Sequence, residues 1–341
     1  MMGNVSLRGG VQRRRSNLCA EIASGTASPR NDTYINVRIE GAGIAGQVLH
    51  RELEKRGIAS SLHDRVSFPR EKVCGGVLQW DSWQYLKAAF QISEPVRLIH
   101  SVSHFWRGKK ISNHSLPEPM VYISRWALDE TLYSRQRSSS LNDPDSLRVN
   151  AKGIPVGAGG EWIGFQAACD PVQDLEMHYG RGICVGISPT LGPEAHLAFI
   201  VKRERFRNAE DLKKILWEEL RLKFDGPLKG TGRIHYGYSR ESLAVGDAKM
   251  VTFPFLGLGM KHAIFSARLL AEKISTDEAQ VYDRTHRHVF RRWRLFSAFI
   301  GAIYDSPFQF LLRPLIRNRA LFFWMYRWLH RDGFGVLNVL C

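Results

Sequence analysis

Cysteine is scarce in these 341 residues. The five present (Cys19, Cys74, Cys169, Cys184 and Cys341) are scattered, odd in number and without metal-type spacing. That argues against a disulfide scaffold or a zinc site and favours a reducing, cytoplasmic setting. No apolar run approaches the roughly 20 residues of a membrane-spanning helix; the longest uncharged run in the C-terminal region is 295–304. There is no internal repeat, no Walker motif, no HExxH and no GxSxG, which removes solenoids, P-loop enzymes, zincins and elbow hydrolases. The N-terminus, MMGNVSLRGGVQRRRSN, has no apolar core, so a secretory signal is not expected. Residues 1–34 are rich in Arg, Ser and Gly and poor in large apolar groups, and read as a disordered basic arm or a start site set too early, with an organellar transit peptide of similar composition as a further reading.

What is present suffices for a globular core. Apolar residues make up 44% of the chain, and the length allows two domains or one large α/β domain. The formal net charge of +15 is unevenly placed. Residues 284–331 hold ten arginines against one acid, Asp305, with an aromatic run, FFWMYRWLH, at 322–330. Nothing there has the form of a nucleic-acid recognition module, so no nucleic-acid partner is expected. Two readings stand for this tail: a basic, aromatic helix pair on an anionic membrane surface, or a helical cap with a solvated arginine face. The first would place the protein at the inner face of a membrane, the second free in the cytoplasm.

The strongest local pattern is INVRIEGAGIAGQVLHRELEKRGIASSLHDR at 35–65. Ile35, Val37 and Ile39 alternate as in a short buried strand, GAGIAG makes a turn, and Val48, Leu49 and Leu53 mark the apolar face of a helix ending at Gly57. A second strand over 58–63 stops at Asp64, 23 residues beyond Gly41. Strand, glycines, helix, strand and acid form the dinucleotide fingerprint. Gly41 permits the tight turn, Gly43 lets backbone approach a pyrophosphate, and Gly46 lets helix pack on strand. The helix start offers unpaired N–H groups to an anion, and Asp64 an acceptor to a ribose.

A second segment, SLAVGDAKMVTFPFLGLGMKHAIFSARLLAEKI at 242–274, has the same logic. Leu243, Ala244 and Val245 suggest a buried strand ending at Gly246-Asp247. Pro254, Gly257 and Gly259 shape a turn, and a helix starts near Met260. Glycines at that helix start could serve a phosphate or a flavin edge, or only packing.

With GAGIAG and Asp64, FPREKVCGGVL (68–78), SRWALDETL (124–132) and GDAKMVTFPFLGLGM (246–260) in this order, the chain resembles the FAD-dependent oxidoreductases of the glutathione-reductase type. Within their para-hydroxybenzoate-hydroxylase-like branch it resembles the geranylgeranyl reductase family, for which KxCGG is the discriminating motif. The resemblance spans about residues 35–300. It implies that Gly41, Gly43, Ile44, Ala45 and Gly46 hold the FAD pyrophosphate and that Asp64, with Arg65 beside it, meets the adenosine ribose. It further implies cofactor contacts from Lys72 and Arg125, and from Gly246 and Asp247 to the ribityl or pyrophosphate part. Pro254, Gly257, Gly259 and Met260 would lie at the isoalloxazine ring, and Cys74, Gly75 and Gly76 would line the flavin and substrate side. Cys74, next to Lys72, could be a lowered-pKa thiol that donates a proton or a small buried hydrophobe. Arg125 could equally pair with Asp129 at a surface.

Lys249 departs from the family pattern by placing a charge after GDA, near the cofactor loop. AKG at 151–153 could be the family's Ala-x-Gly landmark at a late strand, although SRQRSSSLNDPDS at 134–146 fills space where several strands are expected. GICVGISP at 182–189 keeps little of the aromatic motif of geranylgeranyl reductases, and the WxWxIP motif of flavin-dependent halogenases is absent. His178 reads as a strand residue, Trp80 and Trp83 as core or pocket wall, and 209–223 as an architectural amphipathic helix.

The expected class is α/β: a Rossmann-like FAD-binding domain from 35–133 and 235–275, an antiparallel β substrate domain over 134–234, and a basic aromatic helical tail over 276–341. The leading expectation for activity is reduction of a C=C bond in an apolar isoprenoid- or polyketide-like substrate. Reduced flavin would give hydride and Cys74 or water the proton. The alternative is an FAD-dependent monooxygenase hydroxylating an aromatic or polyketide substrate. A third reading is a non-catalytic, flavoprotein-like binding protein at a membrane surface. A single GxGxxG leaves NAD(P)H as a transient donor or assigns reduction to another protein.

Overall fold

A computed structural model describes residues 36–135, 144–154, 160–224, 226–254 and 257–330. The arm at 1–34, most of the segment at 134–146 and the end of the tail lie outside them. The described chain begins with strand β1 (Val37–Glu40), helix α1 (Ile44–Glu54) and strand β2 (Ser60–His63). Ile44, Ala45, Val48, Leu49 and Leu53 form the buried stripe of α1. Strand β6 (Leu147–Asn150) lies on the other side of β1, so three parallel strands run in the order β2-β1-β6. Residues 243–245 continue this sheet: the Val245 amide donates to Asn150 O at 2.9 Å and the Asn150 amide to Leu243 O at 2.9 Å.

The second sheet has eight strands in the order β11-β7-β10-β9-β8-β4-β5-β3. These are β3 (Val77–Gln79), β4 (Arg97–Trp106), β5 (Lys109–Tyr122), β7 (Trp162–Cys169), β8 (Leu175–Gly180), β9 (Ile183–Ser188), β10 (Ala195–Lys202) and β11 (Lys229–Ile234). All neighbours are antiparallel except β4 and β8. The expected ranges therefore divide differently at the level of strands. β3, β4 and β5, read as part of the FAD domain, belong to the large sheet, and β6, read as substrate domain, belongs to the small one. The cause is local. Val149 is buried beside β1, and the Ala151 amide donates to Glu40 O at 2.7 Å, so AKG follows directly on the third strand of the small sheet.

Helix α2 (Trp80–Phe90) buries Trp83, Leu86 and Phe90, and α3 (Arg125–Ser134) buries Leu128 and Leu132. Helix α4 (Ala209–Leu220), started by the Asn208 side chain accepting from the Asp211 amide at 2.9 Å, lays Leu212, Leu216 and Leu220 on a separate core with β7, β9 and β10. Helix α5 (Leu258–Ser275) is almost fully buried and packs on α1.

The tail is more than a pair of helices. It holds α6 (Tyr282–Val289), α7 (Arg291–Asp305), α8 (Leu312–Arg317) and α9 (Arg319–His330). Trp293, Phe296, Ile300 and Tyr304 of α7 and Phe322, Met325 and Leu329 of α9 join the main core. Polar ties fix them: Ser112 Oγ (3.0 Å) and His114 Nε2 (2.7 Å) donate to Ile316 O, Trp293 Nε1 to Leu329 O (2.7 Å), and Gln309 Nε2 to Gly180 O (2.6 Å). Among the described residues no single helix is long and apolar enough to cross a membrane.

Candidate functional site

The first glycine turn is built by collision avoidance. Gly41 sits at φ +115°, and a Cβ there would stand 2.3 Å from Ala151 O; a Cβ on Gly46 would stand 1.9 Å from Gly41 O. Both positions need glycine for the fold alone. Gly43 differs. Its φ of −72° suits any residue, and the nearest atom to a Cβ there is the far end of Arg70, at 3.5 Å. The protein gives Gly43 no packing reason, which leaves open space at the start of α1. That helix start has no side-chain cap and no acid in its first turn, so its N–H groups are free for an anion.

Asp64 ends β2 where expected, and it already has partners. Its carboxylate accepts from the Ala42 amide at 2.7 Å and from Arg70 Nη1 at 2.9 Å. It therefore ties the glycine turn to the 64–70 loop, and a ribose would share the carboxylate with Arg70. Arg65 stands exposed beside it. Arg70, which sequence reasoning did not single out, is the nearest cation to Gly43. Its signal lay in plain view in FPREK, but only the fold turns the loop back onto Asp64.

The second turn converges on the first. Gly246, at φ +61°, brings the GDA segment so close to α1 that a Cβ would lie 2.8 Å from Ala45 Cβ, and its amide donates to Ser266 Oγ at 2.9 Å. Asp247 follows and faces Lys72 Nζ at 3.4 Å. Gly257 starts α5 in the left-handed conformation at φ +64°, again without a side-chain cap or first-turn acid. Two uncapped helix starts thus serve one region. Lys249 is a correction: instead of charging the cofactor loop, it is fully buried and turned away. It pairs with Asp283 of α6 and donates to Glu241 O, its Nζ 4.7 Å from the Tyr238 ring centre.

The Cys74-Gly75-Gly76 loop is pinned to the large sheet at four points. The Cys74 amide donates to Gln166 Oε1 at 3.1 Å, and His196 Nε2 donates to Cys74 O at 2.7 Å. Ser188 Oγ donates to Gly75 O at 3.2 Å and the Ile123 amide to Gly76 O at 3.0 Å. Burial lowers the His196 pKa against the raising effect of its bond to Cys74 O, so the ring is neutral. Lys72 points to Asp247, and the cation at the Cys74 thiol is Arg125. Arg125 is buried rather than at a surface, with Nη2 2.8 Å from both oxygens of Asp129 and Nε 3.1 Å from one. Burial opposes its charge, but Asp129 and Cys74 outweigh that and raise its pKa. Gln166, His196 and Ser188 were not foreseen, because they reach Cys74 only through sheet register.

A cavity of about 320 Å³ joins the second turn to the Cys74–Gly76 loop, and the first glycine turn, Asp64 and Arg70 are not among its lining residues. Lys72, Cys74, Gly75, Gly76, Asp247, Pro254, Gly257, Gly259 and Met260 line one end, and Val102, Leu116, Met120, Phe165, Leu175 and Met177 of the large sheet line the other. Phe322 and Tyr326 of α9 complete the wall. His104, also lining it, donates to or accepts from Tyr179 OH at 2.8 Å, and burial, reinforced by His114, lowers its pKa to about 3. His178 stacks on Phe105 in the sheet, as a strand residue.

No family model matches the chain, and no curated protein matches it. Solved structures do. Native FqzB aligns with a TM-score of 0.68 at 16% identity, covering 92% of this chain and 93% of its own. The flavin-dependent brominase Bmp2 aligns at 0.65 and 15% identity, over 89% and 94%. PqsL of Pseudomonas aeruginosa, solved with 2-aminobenzoylacetate and described as "a probable FAD-dependent monooxygenase", aligns at 0.60 and 15% identity, over 86% and 99%. At these identities the likeness is one of fold, and the chain has the α/β fold of FAD-dependent flavoproteins, with an FAD-type domain, a large antiparallel-rich sheet and a C-terminal helical region.

Proposed function

We propose that this protein is an FAD-dependent monooxygenase that hydroxylates an apolar, aromatic substrate. The observation that carries the reading is the cavity that runs from the second glycine turn and the Cys74–Gly76 loop, with Lys72 and Asp247, to apolar side chains of the large sheet. Among the fold neighbours PqsL supports the monooxygenase over reduction of a C=C bond, being described as "a probable FAD-dependent monooxygenase". The residues fit FAD. Gly43 leaves the approach a pyrophosphate needs, the starts of α1 and α5 offer unpaired N–H groups, and Gly257, Gly259 and Met260 border the space for the ring. When bound, the cofactor supplies electron transfer from a nicotinamide donor to oxygen.

The chain's own share is binding, orientation and exclusion of water. Arg70 and Asp64 lock the adenosine-side turn. The Cys74–Gly76 loop, held by Gln166, His196, Ser188 and the Arg125–Asp129 pair, would form a stiff side wall of the cavity. The sheet side chains and α9 keep the far end dry, which suits a flat apolar substrate. With one GxGxxG, NAD(P)H would be a passing donor.

The test is turnover with NADPH in air and, in parallel, without oxygen, followed by product analysis. Purified protein reconstituted with FAD, mixed with NADPH and a panel of aromatic acids that includes 2-aminobenzoylacetate, should in air consume one O₂ per hydroxylated product. A saturated, unoxygenated product formed without O₂ would replace the monooxygenase by the reductase. Failure to retain FAD would remove both.

A further inference from the structure

The tail helices leave one face uncovered. On α7, Leu295, Ala298, Phe299 and Ala302 recur at helical spacing and are exposed, opposite the buried Trp293, Phe296 and Ile300. Phe308 and Phe310 follow in the turn, at 58% and 57% exposure, and α9 presents Leu321 and Trp324, the latter at 59%. These elements are contiguous: α7 touches the 307–311 turn, the turn touches α8, and α8 touches α9. Aromatics exposed to this degree in one region exceed the scattered apolar residues of an ordinary surface.

Charge says what covers them. Between 284 and 327 eight arginines are exposed, and in the sequence the only acid of that stretch is Asp305. Arg291 and Arg292 open α7, Arg313 and Arg317 follow the Phe308–Leu311 turn on α8, and Arg319 and Arg327 lie on α9. A protein partner with an apolar face would not need this uniform sign. Interfacial aromatics among arginines match the boundary of an anionic bilayer, where apolar rings enter the acyl edge and guanidinium groups meet phosphates. We propose that the surface formed by α7, the 307–311 turn and α9 docks on an anionic membrane, lying in the interface without crossing it. On α9, Phe322 and Tyr326 stand two residues either side of Trp324, about 200° around the helix, and line the cavity. The docked molecule therefore holds its cavity one helix thickness from lipid. The docking rests on this surface and not on the redox reading.

The experiment is co-sedimentation of the full chain with phosphatidylcholine vesicles, with and without phosphatidylglycerol, at low salt and at about 0.5 M NaCl, where screening shortens to a few ångströms. Binding is expected to the anionic vesicles only, weakened by salt. Arg313→Gln with Arg317→Gln should weaken it about 25-fold, roughly fivefold per charge. Phe299→Ser with Phe308→Ser and Trp324→Ser should weaken it roughly tenfold or more at unchanged melting temperature, since all three side chains are exposed. No binding to anionic vesicles overturns the proposal. So does binding indifferent to the serine triple variant, which would be a charge effect alone. A wild-type dimer dispersed by that variant, without vesicle binding, would assign the face to a second copy instead.

Discussion

Replacing Gly43 by alanine separates a ligand-driven glycine from a packing glycine. The backbone there is extended at φ −72° and ψ −178°, which alanine adopts freely. The new methyl would meet nothing closer than the Arg70 guanidinium at 3.5 Å. Two small effects oppose each other. Alanine narrows the unfolded ensemble and adds about 0.4–1 kcal/mol, while it is a poorer helix N-cap than glycine by about the same amount. The melting temperature of the apoprotein should therefore move by less than about 3 °C. FAD affinity should fall, because the methyl occupies the approach of the pyrophosphate to the α1 N–H groups. Losing one charge-assisted hydrogen bond of about 1.5–3 kcal/mol weakens binding roughly tenfold to 150-fold. Flavin fluorescence titration and calorimetry read the two quantities separately. Gly46→Ala is the control, since its Cβ would sit 1.9 Å from Gly41 O, and it should cost upwards of about 3 kcal/mol with or without cofactor. An apoprotein destabilised by Gly43→Ala, with FAD affinity intact, would refute the reasoning.

Arg125→Met should destabilise by about 3–5 kcal/mol in urea unfolding, because Asp129 is left fully buried and unpaired; adding Asp129→Leu should recover most of it, and additive losses would argue against the pair. Glu52 has its pKa lowered to about 2. Burial would raise it, but Arg56, Lys55 and Tyr85 outweigh that. The depressed value contributes about 3 kcal/mol above pH 4.5, lost as pH falls towards 2; in Glu52→Gln the acid limb of the stability profile should flatten, and an unchanged limb contradicts the assignment. Lys249→Met should lower stability through loss of the Asp283 pair yet leave FAD affinity within a factor of about two, because the side chain faces α6; a large loss of affinity would return Lys249 to the cofactor loop.

What the sequence made legible was local. GAGIAG, the helix behind it and the acid at its end are dictated by neighbours within 25 residues, and each landed in place. The β5 strand was invisible because Pro117 and Pro119 interrupt its alternation. The register against β4 jumps from Met120 opposite Ile99 to Ser115 opposite Ser101, so a bulge absorbs the prolines and the ladder resumes. β6 itself was not singled out, because a four-residue strand after a polar segment carries no mark of its partner. The tail was read as basic and aromatic, but that Phe322 and Tyr326 wall the cavity depends on α8 being tied to β5 at Ile316 O, a contact about 200 residues apart.

The placement of Ala151 against Gly41 carries a consequence for the order of events during synthesis. Residues 37–63 hold nearly every feature of the fingerprint, yet their glycine turn is shut on one side by backbone 110 residues later. β1 must wait, with one edge unpaired, while β3, β4 and β5 form a ribbon that belongs to the other sheet. A nascent chain stopped before residue 147 would expose that edge as a template for wrong pairing. The nucleotide cradle is among the first segments made and cannot be among the first completed, so a chaperone or a short ribosomal pause would matter most in the interval between Asp64 and Ala151.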